Sequence, residues 1–128
     1  MSVAERLLPL EVEIEELRLE RAEIETAAGW SRVTTSVVLA GAGREGRGED
    51  VSYDPIEHEG FPTPDLTRAR TLEEFSDRLA GFDLWPVRAP EWKGSFDYRL
   101  WAFESAALDL ALRQADQTLG EQLGRDYA

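Results

Sequence analysis

The feature that most constrains this chain is a change of period part-way along it. In the first part apolar and polar residues alternate, and from about Thr71 onward apolar residues recur every three or four positions. Alternation places one face of a strand against a core, and the longer spacing places one stripe of a helix there. The run Arg32 to Ala40 is β-branched along most of its length and reads as the strongest strand. Before it, Val12 and Ile14 alternate with glutamates, and Leu17 and Leu19 resume on a shifted phase, which predicts a strand with a bulge near Glu15-Glu16. Gly46 to Tyr53 reads as a weaker third strand, and the short connections predict an antiparallel meander.

The stretch from Pro55 to Thr67 carries three prolines and predicts a loop. Thr71-Leu72-Glu73-Glu74 is a capping-box pattern, followed by the apolar stripe Leu72, Phe75, Leu79 and Phe82. Ser95 or Asp97 is the expected cap of the longest helix, which ends near Ala115. Its face of Leu100, Phe103, Ala107, Leu108, Ala111, Leu112 and Ala115 is broad enough to be buried on more than one side. Thr118 to Glu121 repeats the capping pattern, with Gly124 placed to stop a short helix. The expected fold is therefore α+β, a three-stranded antiparallel β-meander followed by a small helical bundle. Residues 1–11 read as a leader and residues 12–128 as one domain.

At 128 residues, with 42% hydrophobic and 31% charged side chains, the chain can bury a core without cross-links. There is no cysteine, which rules out disulfides and thiolate metal sites. A formal charge of −12 argues against nucleic acid, whose binding needs clustered cations. No apolar run approaches the roughly 18 residues that span a bilayer, and the acid at Glu5 does not suit a signal peptide. Neither a membrane nor export is expected, and the cytoplasm is the expected compartment.

Three motifs invite a chemical reading. Gly41 to Gly46 matches G-x-G-x-x-G, but a dinucleotide site needs a helix to start inside it, and Gly48, Val51 and Pro55 oppose one. A hairpin turn is the better reading. Glu57-His58-Glu59, with Asp54 nearby, suggests metal, yet adjacent loop residues rarely converge on one ion, and a solvated acidic loop is expected instead. Glu11, Glu13, Glu15 and Glu16 read as the wet face of a strand. No serine, histidine and acid form a recognisable nucleophile motif. Neither a catalytic residue nor a metal ligand is assigned in this chain.

Three ordered blocks carry a resemblance. Gly46-Arg47-Gly48-Glu49 is like a G-x-G-E segment on a third strand. The stretch Phe103 to Ala111 is like a helix reading roughly A-x-x-A-L-W-D-L. Thr118 to Gly124 is like a closing helix reading P-L-Y-x-L-L-G, with Thr118 in place of proline, Gly120 in place of a large residue, and Asp116 in place of a glycine upstream. Together they resemble the N-terminal capping domain of the enolase superfamily, of the muconate-lactonizing and mandelate-racemase type, over about Val12 to Arg125.

The resemblance implies a lid that closes over a separate (β/α)-barrel, where Mg²⁺ and a lysine or histidine base remove the proton beside a substrate carboxylate. Racemase, cycloisomerase or dehydratase outcomes are all compatible with it. Its implied partners are that barrel domain, a small carboxylate substrate and further copies in a homo-oligomer. Two loops are implied to face the substrate, and they offer Trp30, Ser31, Arg32, Ser52 and Tyr53. Trp30 and Tyr53 read equally well as packing residues, and Arg32 as a solvated strand start. Trp85, Trp92 and Trp101 are expected to pack on the barrel or a partner subunit. The alternative is a non-catalytic interaction module of the same fold.

Overall fold

The computed structural model describes residues 3–25, 27, 29, 31–52, 55–87, 89, 90 and 92–124. The expected meander is present as Glu16–Glu25 (β1), Ser31–Gly41 (β2) and Arg44–Asp50 (β3), in the order β1-β2-β3 with both pairings antiparallel. The glycine-rich segment is a hairpin. Its two turn residues, Ala42 and Gly43, both have positive φ (49° and 76°), the backbone handedness that matches strand twist.

Alternation along β2 sends Val33, Thr35, Val37 and Leu39 inward, all at most 3% exposed. On the outer face Val38 is also fully buried. Its cross-strand neighbours are Arg18 and Arg47. Arg47 donates twice to Glu20 (3.1 and 3.0 Å), and Arg18 donates to Glu45 at 2.6 Å. The aliphatic stems of these side chains roof the valine while their heads stay wet.

The first strand differs from its expected form. The shifted phase at Glu15-Glu16 marks a change of partner, and it falls where Glu15 N–H donates to the carbonyl of Ala40, the residue that also pairs with Glu16, two residues against one as the expected bulge requires. Val12 N–H donates to the Arg70 carbonyl and Glu11 bridges Thr71, whereas pairing with β2 begins at Glu16. Val12 and Ile14 are still buried, at 3% each, because this extended segment runs beneath the helices.

The helical half comprises Val3–Leu7 (α1), Leu72–Ala80 (α2), Gly94–Gln114 (α3) and Leu119–Gln122 (α4), with a 3₁₀ turn at Pro55–His58 where only loop was expected. The presumed leader is tied into the fold. Leu72 N–H donates to the Leu10 carbonyl, Glu73 N–H to that of Leu8, and Arg6 Nη1 to that of Leu123.

α3 lies on the inner face of the sheet and is buried along Ala102, Phe103, Ala106, Ala107, Leu110 and Ala111. It can approach β3 so closely because Gly46 and Gly48 face it. A Cβ at Gly48 would stand 1.9 Å from the Ala102 carbonyl oxygen, and one at Gly46 would stand 2.3 Å from the Ala106 oxygen. α2 closes the core from the other side with Leu72, Phe75 and Leu79, while Phe82 lies beyond the helix and is 40% exposed.

The caps follow sequence in part. Thr118 and Glu121 form the full reciprocal box on α4. At α2 the Thr71 hydroxyl accepts from Glu74 N–H, but the Glu74 carboxylate takes the Arg70 N–H in place of that of Thr71. Thr71→Ala should cost about 1 kcal/mol, read as a lower urea midpoint. An unchanged midpoint would mean that water replaces the cap. α3 has no side-chain cap, since Ser95, one of its two expected caps, sits in the first turn and bonds elsewhere.

Candidate functional site

β3 stops at Asp50, opposite Thr35, but β2 starts four residues earlier, at Ser31. Residues 31–34 therefore pair only with residues 22–25 of β1, and this two-stranded ribbon projects past the sheet. At about 3.3 Å per residue it extends some 13 Å beyond the last rung of β3. Glu23, Ile24 and Glu25 on it are exposed, Ile24 by 65%. The chain leaves β3 at the same end, through Val51 and Ser52. The two loops implied to face a substrate thus share one end of the sheet.

Beneath that end lies a set of buried polar groups with Arg99 at its centre. Arg99 stands on the apolar stripe of α3 and is 1% exposed. Its Nε donates to Asp50 Oδ2 at 2.8 Å, Nη1 to the Leu84 carbonyl at 3.0 Å and Nη2 to the Glu57 carbonyl at 2.6 Å. The guanidinium is also sandwiched between Trp85 (3.5 Å to the ring centre) and Phe61 (4.1 Å). Removing such an ion from water costs several kcal/mol. Three charge-assisted bonds and two aromatic faces offset that cost. Burial pushes the Arg99 pKa down, and the Asp50 hydrogen bond and charge oppose the shift.

Asp50 uses its other oxygen to accept from the Ser52 N–H (2.9 Å) and the Ser52 hydroxyl (2.5 Å). His58 completes the set. Its Nε2 lies 2.9 Å from the Ser52 carbonyl, which can only accept, so that nitrogen carries the proton. Its Nδ1 lies 2.8 Å from the Thr35 hydroxyl, which can either donate or accept. Ser95 donates to the Glu57 carboxylate at 3.1 Å. Five segments are tied together here: β2 at Thr35, the end of β3, the 3₁₀ turn, the loop at Leu84 and the start of α3.

The Arg99, Asp50, Ser52 and His58 groups are each engaged by protein partners, and together they hold the β3 exit. Several expectations change accordingly. Glu57 and His58 are buried, at 5% and 3%, and do not form a solvated acidic loop. Ser52, expected to face a substrate, is turned inward. Trp85, expected at a docking surface, packs on Arg99. Ser31 is half-buried and Arg32 exposed on the projecting ribbon, as strand-start residues. Trp30, Tyr53 and Asp54 lie outside the described residues. No group of three or more potential metal ligands occurs among the described residues, nor is any helix among them long and apolar enough to cross a membrane.

Sequence reasoning missed Arg99 and Asp50, although a signal was present. Ser95, Arg99, Phe103, Ala106 and Leu110 share one helical stripe, and Gly46, Gly48 and Asp50 share one strand phase. Opposite charges at inward positions of two elements point to a buried pair.

A family model described as "Domain of unknown function (DUF8230) N-terminal domain" matches residues 5–122. The chain belongs to the DUF8230 N-terminal-domain family. Neither a curated protein nor a solved structure matches it. The DUF8230 match spans the three strands, α2, α3, α4 and the whole Arg99 network, and it begins within α1. The packed N-terminal segment, from Glu5, therefore belongs to the DUF8230 domain.

Proposed function

We propose that this domain is the cap of an enolase-superfamily enzyme, shaping and closing a carboxylate-substrate pocket held by a following barrel. The observation that carries the reading is the placement of the two loops at one end of the sheet, one on a projecting ribbon and the other rooted in the Arg99 network. A lid must be anchored where it leaves the fold and reach out where it meets substrate. Packing adds support, because two of the resembling blocks touch. The Gly46 and Gly48 segment lies directly on the Ala102 to Leu110 turns of α3. The family description, an N-terminal domain, suits a unit that works with a second one.

In this reading Mg²⁺ and the proton-transferring base belong to the barrel. The buried acids of the cap do not fit the ion, since Asp50 is engaged by Arg99 and Ser52, and Glu57 by Ser95. The cap contributes exclusion of water and contact at the pocket rim.

The test begins with the coding sequence beyond Ala128, where an open frame with a K-x-K motif and spaced acidic ligands is expected. In the enzyme so defined, Trp30→Ala should change KM or the preference among carboxylate substrates by about tenfold, the scale of one lost apolar contact. Kinetics unchanged across a substrate panel would remove Trp30 from the pocket.

An interaction module is the second reading, and one observation favours it. Val87, Trp92, Phe96 and Trp101 are 71, 51, 47 and 55% exposed around the start of α3. Tyr98 bridges Trp92 and Trp101, with ring centres at 5.2 and 6.1 Å. Such a strip marks a docking face in either reading. A stop codon after this domain, with no barrel gene nearby, would favour the module.

A further inference from the structure

A groove of about 520 Å³ opens between α1, α2 and α3, on the side of α3 away from the sheet. Leu7 and Leu8 form one end, Phe75 one wall, and Trp101, Glu104 and Leu108 the other. The last three follow one another on a single face of α3 at helical spacing. The volume suits a small ligand, for which pockets run from about 300 to 1,000 Å³.

Glu104 is out of place in this apolar setting. It is half-buried, and burial alone pushes its carboxyl pKa up. Among the described residues it has neither a hydrogen bond nor an ion pair, and no cationic residue lines the groove. A carboxylate desolvated without a partner lowers stability, and the packing of α3 on α2 does not require one. Residues that work against the fold in this way are characteristic of binding sites.

We propose that this groove binds a small organic cation, an alkyl- or arylammonium whose hydrocarbon body lies along Phe75 and Leu8 and whose nitrogen sits between Glu104 and the Trp101 indole. Charge complementarity selects the class. An anion would meet the Glu104 carboxylate and the net charge of −12. A neutral hydrocarbon would bury that carboxylate further and leave it unpaired. Only a cation gains from the acid and from the ring face together. The inference does not depend on the capping role.

The probe is n-hexylammonium, with n-hexanol and hexanoate as neutral and anionic controls, followed on the Trp101 indole N–H resonance (assigned with Trp101→Phe). Saturable binding is expected for the ammonium, with hexanol weaker by at least about tenfold and no binding of hexanoate. Glu104→Gln should weaken ammonium binding by about tenfold or more while leaving the melting temperature unchanged or higher. Equal binding of hexanol, or undiminished affinity in the Gln variant, would reduce the groove to an apolar patch and overturn the proposal. A chain that sediments as a dimer and saturates with none of the three probes would assign the groove to a second copy, and that too would overturn it. The three-probe comparison on the unaltered chain stands even if the variant folds poorly.

Discussion

Arg99→Met is expected to lower the unfolding free energy by about 3–5 kcal/mol, the usual result of stranding one member of a buried ion pair. Methionine fills much of the space between Phe61 and Trp85, so the loss is electrostatic before it is steric. Asp50 keeps its bonds from Ser52 but loses the Arg99 cation, and the Leu84 and Glu57 carbonyls lose their Arg99 donors. For a domain whose total stability is of order 5–15 kcal/mol, this is a large fraction.

The diagnosis comes from a double-mutant cycle in urea. Adding Asp50→Asn removes the stranded charge while keeping an acceptor for Ser52, and should recover about 1–3 kcal/mol of the loss. A double variant no more stable than Arg99→Met would mean that Asp50 is not stranded. Amide exchange adds a local readout. Because Ser52 N–H and the His58 bond to the Ser52 carbonyl both rest on this set, protection at Val51 and Ser52 should fall further than at Val37 or Leu39. Uniform loss of protection would separate the network from any special hold on the exit loop.

Gly48→Ala is expected to cost about 3 kcal/mol, at the upper end of overpacking effects. The added Cβ would lie 1.9 Å from the Ala102 carbonyl oxygen and 2.9 Å from the Ala106 nitrogen, both backbone atoms of α3. Backbone in a helix cannot rotate away as a side chain can, so the helix and strand must separate. For the same reason Ala102→Gly should give no rescue, because the clash is with the main chain. Gly81→Ala is the control. Its φ is −85° and its nearest neighbour, the Arg78 oxygen, would stand 3.4 Å away, so the same change should be neutral or stabilising by up to about 1 kcal/mol. Thermal melts of the three variants decide it. A Gly48→Ala protein that melts with the parent would mean that the helix does not sit on this strand.

Much of the fold was legible because it is written in short-range pattern. Period-two runs yielded β2 and the start of β1, helical spacing yielded α2 and α3, and the Thr118 to Glu121 box was read in full. These depend on neighbours within four residues, where sterics and hydrogen bonding are local. The polar set was not legible in the same way. Ser95 looked like a cap because serine usually satisfies its own helix end, but a buried Glu57 carboxylate competes for its hydroxyl. Glu57 and His58 looked solvated because charged side chains in a proline-rich stretch usually are. Ser52 looked like a loop contact because its local bond to Asp50, two residues before it, does not by itself show that Arg99 will draw the pair inside.

What the chain dictated unaided, then, is the class of its elements and the order of the main ones: an antiparallel meander, then helices. What tertiary packing alone decided is which polar groups lie inside. Asp50, Glu57 and Arg99 are separated by up to 49 positions, and a charge so placed is tolerable only once its partners surround it. Burial of a charge is a property of the assembled surroundings: stripe and strand phase can put Arg99 and Asp50 on inward faces, but only the packing of α3 on β3 sets them against each other.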